Sequence, residues 1–509
     1  MKMKMKKLKY ILVLGALMTG FQSCDNFLNV TPIDALSGNN FWKTKSDVEG
    51  YMGGIYTRLK SKLGNSMLIP ALDLRGNFVK IVNNLDNNGN GPINNLISNN
   101  LKPVMSGTTT YDNRLKDIMN WKGWYDVIAA SNILIYEIDK VPANQLSETD
   151  RKQYIAEATF TRNLSYLFIC KLFGDAIYYT EAYHSLSLPR RPQLEVLKLA
   201  IADMESVKND LPVTYADNSK AGFRPNRGAA IALLMHLNMW AAAWEENNKV
   251  PYYEAIVALG EEISSHTQYQ LLPITIDNTK SIFKGKTAEN LFGILQEYNY
   301  GESFVDFANP SFFFSHYPFR GSTTKTTSHM TYEKEYIEKL FPATESDERR
   351  TVWFENMSSD NGNFQLKKFI NVYSTGSGSN LTVKNDDSAI IFRLPDALLL
   401  AAEAAAELGN DAIAQGYVNQ VRAAAGAQAF TTTGNALKDD IYKERKRELI
   451  GEGHFYFDLV RTKRVVNTEY SNAVMSVGNF NAGAWTWPLI ISDAEKVANP
   501  SLIGNIFWN

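Results

Sequence analysis

Apolar residues recur at spacings of three and four along much of this chain, and one long polar, aromatic interval interrupts them. The clearest repeat lies in 393–426, RLPDALLLAAEAAAELGNDAIAQGYVNQVRAAAG. Leu394, Leu398, Ala402 and Ala405 share one face of a first helix, because residues three and four apart stack above one another. Gly409 supplies a left-handed cap, and Asn410 or Asp411 can accept from the free N–H groups that open a second helix. Ile413, Tyr417, Val421 and Ala424 line that second helix. So short a connection makes the two antiparallel, and alanines let their backbones approach closely.

The same periodicity predicts a helix over Asp47–Leu63, capped by Ser46, with Val48, Met52, Ile55 and Leu59 inward. Residues 112–174 are helical again, with Trp121, Tyr125, Ile128 and Ala129 as a packing ridge. Further helices follow at 193–210, 226–247 and 251–266. His236 falls on an apolar face, where a satisfied core histidine is expected. No strict 34-residue period emerges, so the hairpins are degenerate repeats.

Two intervals break the pattern. Nine of the eighteen residues in 83–100 are asparagine, and Gly89, Gly91 and Pro92 lie among them, so no helix is predicted there. Asp86 to Gly91 repeats the first half of a calcium loop, D-x-N-x-N-G. Ile97 stands where the bidentate glutamate belongs, which favours a solvated, asparagine-stabilised turn. Residues 271–390 are rich in Gly, Ser, Thr and Asn and contain QEYNYGESFVDFANPSFFFSHYPFRG (296–321). A loop this long and this aromatic predicts a ligand surface. Either the whole segment faces a ligand, or Phe312, Phe313 and Phe314 plug the core while Tyr298, Tyr300, His316 and Tyr317 face out.

Composition changes the picture in three ways. Hydrophobic residues at 45% and charged residues at 21% describe a globular chain. Residues 1–23 hold five lysines ahead of the short apolar run Tyr10–Met18, which predicts a secretory signal, too short to span a bilayer as a mature helix. Cys24 follows the small residue Ser23 as in a bacterial lipobox, although Phe21 and Gln22 depart from that pattern. A chain beginning at Cys24 loses those lysines, its net charge moving from −2 to −7, which argues against nucleic acid and against polybasic adhesion to lipid. With Cys24 acylated, Cys170 has no partner and is expected to be a buried free thiol.

Candidate chemistry is sparse. Glu444, Glu448 and Glu452 recur at i, i+4 and i+8 with His454 nearby, a spacing that admits a metal or acid–base site. Lys443, Arg445 and Arg447 interleave with them and Arg461 follows, which favours a structural ion-pair network. No HExxH, GxSxG, phosphate loop or spaced Cys/His set occurs, so no metal or cofactor is expected. A glycosidase's carboxylate pair is not legible in one dimension, since its separation is set by the fold.

Several segments together carry a family resemblance. CDNFLNVTP with NNFWKTKSDVEGYMGGIYTRL, NWKGWYDVIAASNILIYEID, YIAEATFTRNLSYLFICKLFGDAIYYTE, the 393–426 hairpin, KERKRELIGEGHFYFDLVRTKR and the closing AWTWPLIISDAEKVANPSLIGNIFWN resemble the SusD/RagB family of surface nutrient-binding lipoproteins. Ile490, Ile491, His454 and Ile506-Phe507 depart from its motifs. The resemblance implies a mostly α, SusD-like fold in one domain, 24–509. Tetratricopeptide-like hairpins would form its scaffold (about 41–268 and 391–465), with a loop-rich lobe at 271–390. It also implies an outer-membrane, cell-surface protein anchored by a lipid on Cys24, a TonB-dependent transporter of the SusC type as partner, and a glycan as ligand, bound without catalysis. Capture of an oligopeptide, or cleavage of the glycan, are the alternatives. Sugar rings stack on aromatic faces while amides and charges fix their hydroxyls. On that chemistry Asp73, Arg75, Asn77 and Tyr111 are expected as polar contacts and Tyr298, Tyr300, His316 and Tyr317 as stacking groups.

Overall fold

The computed structural model describes residues 41–64, 67–300, 308–320 and 323–508, the side chain of Tyr300 excepted. The signal segment and Cys24 lie outside the described residues. Helices dominate. Those that build the scaffold are α1 (Lys45–Gly64), α2 (Lys122–Glu137), α3 (Glu148–Phe173), α4 (Gln193–Val207), α5 (Arg227–Trp244), α6 (Val250–Ser265), α7 (Leu394–Glu407), α8 (Asp411–Ala424) and α9 (Gly434–Glu448). The first eight pack in sequence as four pairs, α1 with α2, α3 with α4, α5 with α6 and α7 with α8, each pair also meeting the next.

Local chemistry explains most boundaries. Val48, Met52, Ile55 and Leu59 are all fully buried on α1, as their spacing predicts. Its cap is Thr44 and not Ser46, because the Thr44 hydroxyl reaches the Asp47 N–H while the Asp47 carboxylate accepts from Thr44. Gly409 has φ +78 and ends α7 as expected, but Asn410 makes no side-chain cap and Asp411 accepts instead from the Gly434 N–H. The buried face of α8 is Ala414, Tyr417, Val418 and Val421, continued by Ala425 beyond its end, while Ile413 is 42% exposed and Ala424 half-buried. The stripe is turned one position from the expected one, since the small Ala414 and not Ile413 faces the tightly packed neighbour. Helix α7 is buried almost all round, flanked by α5, α6, α8 and α9. Gly260 of α6 makes this possible: a Cβ there would lie 2.7 Å from the Cβ of Ala401.

The asparagine-rich interval departs from expectation. Asn90–Ile97 is a helix. Pro92 sits in its first turn, where no N–H is required, and Ile93, Leu96 and Ile97 anchor it in the core. Asn87 and Asn88 take φ +54 and +59 in the turn before it, which asparagine tolerates better than most residues.

Among the described residues, eight short strands stand beside the helices: β1 (Val79–Ile81), β2 (Asn290–Ile294), β3 (Met330–Tyr332), β4 (Phe354–Glu355), β5 (Gln365–Leu366), β6 (Val372–Thr375), β7 (Thr382–Asn385) and β8 (Ala389–Arg393). They form four antiparallel pairs, β1–β3, β2–β8, β4–β5 and β6–β7. The β1–β3 pair matters for function, because it joins the early asparagine-rich segment to the late lobe with Lys80 opposite Thr331.

Candidate functional site

The expected polar contacts Asp73, Arg75 and Asn77 turn inward. Asp73 is 2% exposed, and one of its carboxylate oxygens accepts from the Gly453 N–H at 2.7 Å. Burial pushes its pKa up to about 8, against the donated bonds and Lys368. Arg75 is fully buried and donates to the carbonyls of Thr486 and Ala484 and to Asn99 Oδ1, with its guanidinium 4.3 Å from the Tyr456 ring. Asn77 donates to the Asp73 carbonyl. Tyr111 is also buried, and its ring fills the space where a Cβ on Gly89 would sit. Arg75 and Tyr111 meet the loop from beneath, at Asn99 and Gly89, and none of the four residues faces solvent.

What the loop presents outward is a row of amides. A cleft of about 570 Å³ lies between β1 and the Asn90–Ile97 helix, and Asn84, Asn90, Asn94, Asn95, Ser98 and Asn472 line it. Asn90 is committed to the turn, accepting from the Leu85 N–H and donating to Asn84 Oδ1. The side-chain amides of Asn94 and Asn95 have no hydrogen-bond partner among the described residues. Two charged residues line the cleft: Lys80, which pairs with Asp360 at 3.1 Å, and Glu333, which accepts from the neutral Asn472 amide.

The lobe carries the candidate stacking rings. Asn83 donates to the Ser328 carbonyl and Lys325 pairs with Asp86 at 3.3 Å, so the lobe is tied to the amide loop at these two residues. Tyr317, 43% exposed, is held there through its N–H to the Lys325 carbonyl at 2.8 Å. His316 is half-buried, its Nδ1 paired with the Tyr317 carbonyl. Phe312, Phe313 and Phe314 are buried, so the triple phenylalanine is core.

Tyr298 belongs to a different place. It stacks on Tyr373 of β6 at 5.7 Å and 3°, and its hydroxyl meets Thr375 Oγ1 at 3.1 Å. Lys284 and Lys384 lie over the pair, and Lys284 bonds Asp386 at 2.7 Å. Among the described residues, the partners of this platform's side chains are Thr375, Lys284 and Lys384, none of which lines the amide cleft. Tyr300 ends the same turn, with its side chain outside the described residues.

The glutamates of α9 and its end are interior. Glu444 bonds Arg349, Arg422 and Arg447; Glu448 bonds Arg349 and Arg393; Glu452 bonds Arg393 and Lys368. Burial alone would raise Glu444 and Glu452, but these cations hold both at about 2. The counter-charges come chiefly from distant segments and not from the interleaved Lys443 and Arg445. Arg445 instead holds Asp396 and Asp458. His236, Asp396 and His454 offer ligand atoms within 4.8 Å of one another. Yet Asp396 is already shared by His236 at 2.6 Å and Arg445, and Lys171 lies 3.3 Å from the other His236 nitrogen. Added positive charge is poorly received there, and the set is a buried polar network. Cys170 is a buried free thiol whose pKa burial raises.

The sequence reading missed Asn94, Asn95, Asn472 and Tyr373. The asparagine richness of 83–100 was the available signal for the first two; only the fold brings Asn472 across.

Comparison with known proteins places these features in context. Residues 310–497 match a profile described as the SusD family, and residues 80–238 one described as starch-binding, associating with outer membrane. A crystallised SusD homolog from Bacteroides thetaiotaomicron is 35% identical, with a TM-score of 0.82 over 92% of this chain and all of that one. SusD-like protein P25 of Formosa agariphila is 27% identical over 89% of this chain and 90% of its own length. Surface glycan-binding protein A from Bacteroides uniformis shares the fold, with a TM-score of 0.68 at 20% identity over 91% of this chain and all of that one.

Proposed function

The chain belongs to the SusD family, and on that footing we propose that it captures a glycan at the cell surface in the amide-lined cleft, without cleaving it. One observation carries the reading: Asn94 and Asn95 present uncommitted amides into an amide-rich cleft of about 570 Å³. A sugar hydroxyl both donates and accepts, and a primary amide answers with both. Tyr317 adds an exposed ring for stacking, on a lobe segment linked to the asparagine-rich loop through Lys325 and Asp86, while Tyr298 and Tyr373 form a second platform. Membership of the family supports the rest of the proposal, namely a lipid anchor at Cys24, placement on the outer membrane and hand-over to a TonB-dependent transporter of the SusC type. The name of the B. uniformis neighbour accords with surface capture.

A competing reading has its own observation. β1 pairs only with β3 among the described residues, so an extended peptide could add to its other edge. Calorimetry against neutral polysaccharides and against extended peptides, run beside a reducing-end assay, separates the cases. Glycan binding in the micromolar to millimolar range, at least about five-fold weaker in an Asn94→Ala/Asn95→Ala variant, is expected. New reducing ends would move the protein to the enzymes, and binding of peptides alone would favour the strand-addition reading. Replacing Cys24 by Ser should release the protein from the membrane fraction.

A further inference from the structure

Past the Glu333–Asn472 bridge the surface dips again, into a groove of about 510 Å³ walled by Phe78, Tyr336 and Tyr470. Glu333 lines both depressions, so they adjoin. Phe78 and Tyr336 are stacked at 4.7 Å and 18°, offering a two-ring wall. Beneath lies Lys446, half-buried, with its Nζ 4.7 Å from Tyr336, 5.0 Å from Phe455 and 5.6 Å from Tyr442.

The charges of this groove are unevenly satisfied. Lys443 pairs with Asp439 at 2.6 Å, and Glu333 accepts from Asn472. Glu335 and Glu469 are exposed and hydrated at the rim. Lys446 alone is withdrawn from water with no carboxylate bonded to it among the described residues. An ammonium held by ring faces gains some cation–π stabilisation, but an uncompensated, partly desolvated charge is the costly feature of the site. What offsets it is an anion brought by the ligand.

We propose that this groove is a subsite for an acidic sugar residue, whose ring stacks on the Phe78–Tyr336 wall and whose carboxylate meets Lys446. The inference rests on the glycan-binding reading and narrows it to a chain carrying uronic acids. Desolvation, with Arg464 and Lys443 nearby, brings Lys446 down to about 7 against the opposing pull of Asp439 and Glu469. A carboxylate at the ammonium raises it again, so binding takes up a proton near neutral pH.

The test uses tri-galacturonate, tri-mannuronate and tri-guluronate, each beside its methyl ester, titrated into the full mature protein. At least one acid should bind about ten-fold more tightly than its ester, and the heat should vary with buffer ionisation enthalpy as proton uptake requires. Lys446→Met keeps the packing against the rings and should equalise acid and ester while leaving ester affinity unchanged. Lys446→Arg, with the charge restored, should keep the preference. Equal binding of acid and ester by the wild type, a preference that survives in Lys446→Met, or no binding of any uronate overturns the inference. The broader glycan reading falls only if neutral polysaccharides fail as well, so the two failures are distinguishable.

Discussion

Two polar clusters in this molecule behave oppositely in space. Around Arg393, carboxylates from Glu289, Glu448 and Glu452 converge on one guanidinium, all nearly free of solvent, at 3.0, 2.5 and 2.7 Å. Around the Asn90–Ile97 helix, Asn94 and Asn95 point into an open cleft, their side-chain amides unpaired among the described residues. Buried polar groups must be paired within the protein, since water cannot reach them. Exposed amides need no partner and are free to serve a ligand. The contrast separates architecture from recognition better than residue type does: Asp73 and Arg75, chosen for their chemistry, belong to the first kind.

The largest effect should follow from breaking the buried cluster. Arg393→Met leaves three carboxylates without their shared cation and should cost about 3–5 kcal/mol, read as a large drop in the urea midpoint. If the midpoint barely moves, the cluster is not integral to the core. Next comes acid. Glu444 and Glu452 are held at about 2 in the folded chain against about 4.5 when unfolded, so their stabilisation is present above pH 4.5 and disappears as the pH falls toward 2. A loss on the order of 3–4 kcal/mol between pH 5 and pH 3 is expected. Ligand affinity of the amide cleft should stay nearly level between pH 5 and pH 6, because its lining is mainly amide.

Smaller effects test the open cluster. The Asn94→Ala/Asn95→Ala variant should leave the melting temperature within about 2 °C of wild type while losing about 1–2 kcal/mol of glycan affinity. An equal fall in stability would show that these amides are structural after all. Tyr317→Ala should cost about 1 kcal/mol of affinity and nothing in stability, consistent with one stacked ring at a surface. Tyr111→Ala serves as the control, since that ring is interior and its loss should act on folding.

How far the sequence carried depends on whether a feature is local. The helices α1 to α8 were legible because periodicity records which face is buried, and the Ala-rich 393–426 hairpin was found with only its second stripe turned by one position. The Asn90–Ile97 helix was missed because composition argued against it, while three apolar anchors and a proline confined to the first turn overrode that argument. The site was harder. Asp73, Arg75, Asn77 and Tyr111 are close in sequence to the cleft, yet their direction is set by partners at Gly453, Ala484, Thr486 and Gly89, which no local pattern reveals. Tyr298 and Tyr317 share one aromatic segment but lie on different parts of the lobe. Lys446 reads as one more charge in KERKRELIGEG and becomes notable only when three rings close around it.

The central claim is that the cleft between β1 and the Asn90–Ile97 helix receives the glycan. Hydrogen–deuterium exchange with and without the polysaccharide that binds most tightly tests this directly. Slowed exchange is predicted in peptides covering 79–98, with the buried helix α5 (Arg227–Trp244) unchanged. Protection absent from 79–98, or confined to the Tyr298–Tyr373 platform, would contradict it.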